Sequence, residues 1–180
     1  MSRSLVIANR QRAIALNTRL LRALTESLLK DLLELKTFDL AINILRAPEM
    51  AALNETFLDH EGSTDVITFD YCKDSPFVIR HSSFPRHDAA NVLPASCRQS
   101  LHGEIFISID DAQSQAREFR TSWQSELARY VIHGVLHLRG FDDLQPAARR
   151  KMKREETRLL NEIGRLFPLS KLARRPKLRP

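Results

Sequence analysis

The chain has 180 residues, of which 43% are hydrophobic, and a formal net charge of +6. This length and apolar content suit a single compact domain with a hydrophobic core. No apolar run approaches the length of a transmembrane helix, and the apolar residues 5–8 are too few for a secretory signal, so we expect a cytoplasmic protein rather than a membrane-spanning or secreted one.

The first half of the chain alternates predicted strands and helices. Residues 4–9 are predicted to form a strand, and Asn17 is placed to cap the helix that follows. Six leucines recur along this helix at helical spacing and are predicted to face the core: Leu20, Leu21, Leu24, Leu28, Leu32 and Leu35. Residues 40–45 alternate like a strand, and Pro48 begins a short helix.

Two further strands are predicted at residues 66–71 and 104–109, which are rich in branched and aromatic side chains. Strands grouped ahead of a long helix indicate an α+β fold. We therefore predict one domain in which a small mixed sheet packs against helices. The two cysteines, Cys72 and Cys97, lack the number and the spacing of a disulfide framework or a zinc cluster, so we expect both to be free thiols.

Residues 123–138 are predicted to form a buried helix, because apolar residues occupy most of its positions. Thr121 and Gln124 stand at capping-box spacing at its start. Its polar side chains recur every three or four residues, which places them on one face of the helix: Glu126, Tyr130, His133 and His137.

His133 and His137 are one helical turn apart, so both imidazoles can bind one cation. Gly140 is predicted to end the helix in a left-handed conformation and to turn the chain back, which brings Asp142 or Asp143 to that cation as a third ligand. Two core histidines with satisfied hydrogen bonds are the alternative, since a chain with six histidines contains such a pair by chance about one time in six. The glycine and the acidic residues after the pair favour a metal site. The buried helix would supply its two histidines, and the chain reversal after the helix would supply its third ligand.

Three protein ligands leave one position on a zinc ion open for water, whose pKa falls to about 7 there. The motif therefore indicates hydrolytic chemistry with one zinc ion per chain, although nickel, cobalt and iron also bind imidazole and carboxylate. Metzincin proteases share this ligand spacing, but they carry a glutamate directly after the first histidine as the general base. Gly134 stands at that position here, so a metalloprotease is a disfavoured alternative.

The positive charge is concentrated at the C-terminal end. Residues 146–180 contain 12 basic and 3 acidic residues, whereas the rest of the chain contains 16 basic and 19 acidic residues. This distribution suits an anionic polymer such as RNA. A solvated surface helix explains the charges of residues 147–163 equally well. Residues 164–180, with three prolines, are predicted to form a basic, disordered tail beyond a domain of residues 1–163.

Residues 133–143 resemble the signature of the YbeY endoribonuclease family, H-G-x-L-H-L-x-G-y-D-H. Further matches lie at residues 53–54, 64–69 and 103–105, and at Met152 with Glu155 or Glu156, so the resemblance spans about residues 40–163. There are two departures from the family pattern. Asp143 replaces the third histidine, and Leu58 replaces an arginine associated with engaging RNA.

The resemblance implies a metal-dependent hydrolase domain, specifically a single-strand-specific endoribonuclease. It implies ribosomal RNA maturation at the 3′ end of the small-subunit RNA, and ribosome quality control. It implies His133 and His137 as catalytic residues and, together with Asp143, as ligands of one zinc ion. The implied partners are ribosomal RNA and the small ribosomal subunit, with ribosomal proteins and a GTPase. The alternative is a non-catalytic, RNA-binding ribosome assembly factor with a structural zinc.

Compared with the family, residues 72–101 are predicted to form an inserted loop. His81 and His87 in this loop and His102 beside it lack ligand spacing, so we expect no metal role for them. Thr64 and Asp65 match a family motif beside the cleft, but hydrogen bonding within a turn explains them equally well.

Overall fold

The computed structural model describes residues 3–72, 78–80 and 99–174. In chain order, its elements are β1 (Arg3–Asn9), α1 (Thr18–Ser27), a π-helical turn (Leu28–Leu32), β2 (Thr37–Leu45), α2 (Ala47–Leu58), β3 (Val66–Asp70), β4 (Val78–Arg80), β5 (Ser100–Ser108), α3 (Ile109–Glu118), α4 (Trp123–Leu138), α5 (Pro146–Leu166) and a 3₁₀ turn (Leu169–Leu172).

The strands form one mixed sheet in the order β1-β2-β5-β3-β4. The pairs β1–β2 and β2–β5 are parallel, whereas β5–β3 and β3–β4 are antiparallel. Parallel neighbours require a crossover connection, which α1 provides between β1 and β2. The prediction of an α+β fold with a small mixed sheet packed against helices is confirmed.

The six predicted leucines contact the core, although Leu20 and Leu32 are only partly buried. The predicted helix is too long, because the helical residues end at Leu32 and Leu35 lies beyond them. The side chain of Asn17 caps α1 by accepting a hydrogen bond from the backbone N–H of Leu20 at 3.2 Å. Leu21, Leu24 and Leu28 are at most 1% exposed. Burying one such side chain contributes roughly 1.5–3 kcal/mol, which is why this stripe fixes α1 against the sheet.

The sheet is covered on both faces. Alternate residues of a strand point to opposite faces, and β3 shows this directly. Val66 belongs to the large core that the sheet shares with α1, α4 and α5, whereas Ile67 and Phe69 pack with Met50 of α2 in a smaller cluster. Helix α4 therefore lies over β3 and β5 inside the larger core.

The predicted start of the disordered tail at residue 164 is wrong. Helix α5 continues to Leu166, and the 3₁₀ turn that follows buries Leu172 completely. The backbone N–H of Asn17 donates to the carbonyl of Leu172 at 2.8 Å, and Ala173 forms a β-bridge with Leu16. The apolar residues among these basic ones hold the segment to the fold, so the folded part reaches Arg174. Residues 175–180 lie outside the described residues.

The boundaries of the predicted inserted loop are also wrong. Residues 78–80 form β4 against β3, and residues 100–101 begin β5. Cys72 is disulfide-bonded, which corrects the expectation of a free thiol there, because spacing along the chain does not report proximity in space. Cys97, His81, His87 and the rest of residues 73–98 lie outside the described residues. Among the described residues, no helix combines the length and the apolar character needed to cross a membrane.

Replacing Leu172 with alanine tests whether the C-terminal segment belongs to the fold. Leu172→Ala should lower the free energy of unfolding by about 2–5 kcal/mol, because it leaves a cavity in the core. Leu166→Ala is the matched control, since Leu166 is 56% exposed, and it should change that free energy by less than about 0.5 kcal/mol. Urea denaturation of both variants measures the difference, and equal stabilities would contradict the packing described.

Candidate metal centre

Helix α4 begins at a different cap from the predicted one. The side chain of Ser122 accepts a hydrogen bond from the backbone N–H of Ser125, so Ser122 is the N-cap. Thr121 instead donates its hydroxyl to the Glu126 carboxylate at 2.6 Å. The predicted pairing of Thr121 with Gln124 is therefore wrong, and the threonine holds a buried carboxylate on the polar face of the helix.

Gly134 brings α4 close to the sheet beneath it. A Cβ atom at this position would lie 2.7 Å from the side chain of Ile105 on β5, closer than such carbon atoms approach. The absence of a side chain thus allows the helix to pack closely on β5. This close approach explains the glycine directly after the first histidine.

Gly140 ends α4 and turns the chain back, as predicted. Its φ is +83°, a left-handed conformation that favours glycine. The N–H of Gly140 donates to the carbonyl of His137 at 2.8 Å, and the N–H of Phe141 donates to that of Leu136 at 3.0 Å. These two bonds form a Schellman motif, which fixes the direction of the following residues.

The return of the chain brings Asp143 to the two histidines. Nε2 of His133 lies 3.0 Å from Nε2 of His137, and each lies 4.0 Å from a carboxylate oxygen of Asp143. A tetrahedral zinc ion with bonds of about 2.0–2.2 Å separates its ligand atoms by about 3.3–3.6 Å, which falls between these distances. Asp142 is used differently, because its carboxylate accepts the backbone N–H of Leu144.

The Nδ1 atoms of both rings have partners that only accept hydrogen bonds. Nδ1 of His137 faces the carbonyl oxygen of Phe141 at 3.2 Å, and Nδ1 of His133 faces the Glu156 carboxylate at 3.0 Å. In the neutral rings Nδ1 therefore carries the proton, and the Nε2 lone pairs point toward each other. A cation between them relieves this repulsion.

Asp143 provides a separate indication of a cation. Its Oδ1 atom is buried and has no hydrogen-bond partner among the described residues. A buried carboxylate oxygen without a partner is costly, and a metal ion would satisfy it. The predicted set of His133, His137 and Asp143 thus comes together in space as a possible metal site.

Glu156 holds His133 in place, and Arg129 and Glu126 support Glu156. The sequence did not indicate this role for Arg129 and Glu126. Arg129 donates to Glu156 at 2.9 Å and to Glu126 at 3.2 Å, which links both carboxylates to the histidine. Glu126 and Glu156 are 3% and 7% exposed. The resemblance left Glu155 and Glu156 as alternatives, and the structure selects Glu156. Arg129 stands one helical turn before His133, a spacing that could have indicated it.

The charges of this network set the pKa values at the site. Burial lowers the pKa of His133, but the hydrogen bond and the charge of Glu156 outweigh it and raise that pKa above its usual value. Burial raises the pKa of Glu156, and the hydrogen bonds from His133 and Arg129 outweigh it and lower that pKa. Burial dominates at Asp143 and raises its pKa.

His133 and Asp143 of the candidate metal site line a cleft of about 220 Å³, to which α4 and α5 contribute most of the residues. It is lined by acidic, basic and neutral side chains: Asp65, Gln115, Arg129, Tyr130, His133, Asp143, Arg149, Met152, Lys153 and Glu156. The Tyr130 hydroxyl is buried and has no hydrogen-bond partner among the described residues. Such a cleft offers hydrogen-bond donors and charges of both signs beside the candidate metal site.

Two other residues noted in the sequence, Asp65 and Leu58, lie before β3 and at the end of α2. One oxygen of Asp65 accepts hydrogen bonds from Thr64 and from the backbone of Val66, so the turn explanation holds, and Asp65 also lines the cleft. Leu58, which replaces the family's arginine, is the last residue of α2.

The fold and this cluster define a small α+β protein with a possible three-ligand metal site. Comparison with known proteins identifies the family: the sequence model described as Endoribonuclease YbeY matches residues 6–164. The chain therefore belongs to the endoribonuclease YbeY family.

Individual relatives are similar to this chain over different lengths. Endoribonuclease YbeY of Salinibacter ruber is 36% identical over 111 residues, which are 62% of this chain and 61% of that protein. Endoribonuclease YbeY of Alkaliphilus metalliredigens is 26% identical over 164 residues, which are 89% of this chain and 96% of that protein. The solution structure of a Thermotoga maritima protein shares the fold, with a TM-score of 0.60 and 20% identity over 98% of this chain and 99% of that one.

Replacing Glu156 tests whether it orients a metal ligand. Glu156→Gln keeps the shape of the side chain but removes the charge that supports His133, so zinc affinity should fall by about 10–100-fold. Glu155→Gln is the matched control, because Glu155 pairs with Arg158 on the solvent side of the same helix. Competition with a chromophoric chelator measures both affinities, and equal losses in the two variants would contradict this role.

The dependence of zinc binding on pH should follow the pKa of His133. Zinc needs the unprotonated Nε2, so a proton competes with it, and affinity should fall as pH falls through the raised pKa of His133. In Glu156→Gln, burial still lowers the pKa of His133, but the charge that raised this pKa is lost. Zinc affinity should therefore begin to fall at a lower pH than in the unchanged protein. Zinc titrations from about pH 5 to 8 compare the two profiles, and coinciding profiles would refute the coupling.

Proposed function

We propose that this protein is a metal-dependent endoribonuclease that cleaves single-stranded RNA at the site formed by His133, His137 and Asp143. The observation that carries the proposal is the opposition of the two Nε2 atoms at 3.0 Å, beside a buried carboxylate oxygen without a hydrogen-bond partner. Membership of the endoribonuclease YbeY family supports RNA as the substrate.

His133, His137 and Asp143 would hold a zinc ion, which would supply a Lewis acid for a phosphodiester oxygen. Two hydrogen bonds orient the histidines for this role: Glu156 accepts one from the Nδ1–H of His133, and the Phe141 carbonyl accepts one from the Nδ1–H of His137. The 2′-hydroxyl of RNA can attack the adjacent phosphorus and expel the 5′-oxygen of the next nucleotide, which takes up a proton, leaving a 2′,3′-cyclic phosphate. The chain therefore does not need a carboxylate placed to activate water. Arg149 and Lys153 place positive charge at the edge of the cleft, where a phosphate would enter.

The site disfavours a metalloprotease. The general base of such proteases would stand at Gly134, where even a Cβ atom would meet Ile105 of β5. Glu156 does not replace it, because its two oxygens are already bound by His133 and Arg129. A peptide bond, unlike RNA, brings no internal nucleophile, so peptide cleavage would lack the group that activates water.

Within RNA, we propose ribosomal RNA as the substrate. The reaction would mature the 3′ end of the small-subunit RNA and serve ribosome quality control in the cytoplasm, with one zinc ion per chain and with the small subunit, ribosomal proteins and a GTPase as partners. Support comes from the family membership and from the excess of basic residues after residue 146. An anionic polymer is the partner that this charge attracts.

Removing one histidine tests the proposed activity. His137→Ala should lose bound zinc and reduce cleavage of a single-stranded ribosomal RNA fragment by at least about 100-fold, because two ligands hold the ion poorly. His102→Ala is the control, since this histidine is on β5 and its side chain is 53% exposed. Zinc content and gel-resolved cleavage are measured for both variants and for the unchanged protein.

The outcomes separate the proposal from its alternative. Zinc binding and cleavage that are both lost in His137→Ala, but retained in His102→Ala, would support the endoribonuclease. Zinc binding by the unchanged protein without any cleavage would favour an RNA-binding assembly factor with a structural zinc. Cleavage that persists in zinc-free His137→Ala would place the activity elsewhere.

A further inference from the structure

The first half of α5 carries five exposed cations within six residues: Arg149, Arg150, Lys151, Lys153 and Arg154. Within the described part of the chain, none of them forms an ion pair with a carboxylate. Cations further along the same helix do, since Arg158 lies 2.6 Å from Glu155 and Arg165 lies 3.0 Å from Glu162. The positive charge of the first half is therefore left to act on solvent or on a partner.

Helical spacing arranges four of these cations in two adjacent rows. Arg149 and Lys153 are four residues apart, and both line the cleft beside the buried Met152. Arg150 and Arg154 form a second row, about 100° further around the helix toward solvent. The two rows make a cationic strip, defined by these four residues, that runs from the cleft to the outer surface of the helix.

The strip is joined to the candidate metal site through Arg149. Its Nε atom donates to the backbone carbonyl of Asp143 at 2.8 Å, which holds the guanidinium beside the ligand loop. The Nη groups of Arg149 have no hydrogen-bond partner among the described residues, so they remain available to bind an anion. Positive charge thus begins at Arg149, beside the backbone of Asp143, and continues away from the candidate metal site along α5.

We propose that this cationic strip binds the sugar-phosphate backbone of single-stranded RNA and leads it into the cleft. The inference rests on the proposed function, because that function places a phosphodiester at the metal site. Guanidinium groups bind phosphate oxygens through two parallel hydrogen bonds, and rows of cations bind successive phosphates without regard to base sequence. The continuity of the strip with the cleft favours RNA over an acidic protein.

The test measures binding without cleavage. A labelled 2′-O-methyl RNA of about twelve nucleotides is titrated with the zinc-loaded protein at several salt concentrations, and its integrity is checked by electrophoresis. In Arg149→Gln/Lys153→Gln, Kd at low salt should rise by about tenfold, and the slope of log Kd against log salt should fall by about 1.4, the value for two lost phosphate contacts. Arg150→Gln/Arg154→Gln, which leaves the cleft untouched, should lower the slope similarly.

The matched control is Arg158→Gln/Arg165→Gln, which removes the same charge from the same helix. Glu155 and Glu162 already neutralise these two arginines, so Kd should stay within about twofold and the slope should not change. Equal effects in the strip and control variants would overturn the proposal, since only net charge would then matter. An unchanged slope in both strip variants would also overturn it.

A competitor distinguishes the kind of partner. Polyglutamate that displaces the RNA as well as unlabelled RNA does, at equal charge, would overturn the proposal in favour of an acidic protein. Because binding is read without turnover, failure of the unchanged protein to cleave RNA would refute the proposed function but leave this measurement interpretable. Conversely, normal cleavage with strip variants that bind like the unchanged protein would refute the strip alone.

Discussion

The candidate site depends on two hydrogen bonds that fix the histidine rings. The Phe141 carbonyl and the Glu156 carboxylate each accept a hydrogen bond from a histidine Nδ1–H, and this places the two Nε2 atoms 3.0 Å apart, facing each other. Without these partners either ring could rotate or change tautomer, and the two lone pairs would separate. The first partner comes from the turn that ends α4, and the second comes from α5. The site therefore exists only when both the turn and the later helix are in place.

The cost of burying the charges explains the network around the site. A carboxylate as deeply buried as Glu156 would be strongly destabilising alone, and so would Glu126. Arg129 lies between them and bonds to both, and Thr121 and His133 each donate one further hydrogen bond. These contacts satisfy the buried oxygens and, at the same time, stiffen the first ligand. Stability and readiness to bind a cation thus come from the same groups.

Local patterns predicted the parts of this molecule that local chemistry determines. The cap at Asn17, the turn at Gly140 and the two histidines one helical turn apart follow from short-range rules that the sequence displays directly. The link between His133 and Glu156 spans 23 residues, so it depends on how α5 packs against α4. The end of the fold is predicted wrongly for a related reason: basic residues and prolines favour disorder after residue 164, whereas the burial of Leu172 depends on contacts of its turn with the distant helices α1 and α4.

Helix α5 shows why its charge could not be assigned from composition. Its buried face supplies Glu156 to the metal site, its solvent side carries Glu155 paired with Arg158, and its first half carries cations without such partners. A count of basic residues sums over all three environments, although only the cations without acidic partners are available to a polyanion. A period of 3.6 residues keeps these environments apart on one helix. The same element therefore orients His133 on one side and presents positive charge without acidic partners on the next.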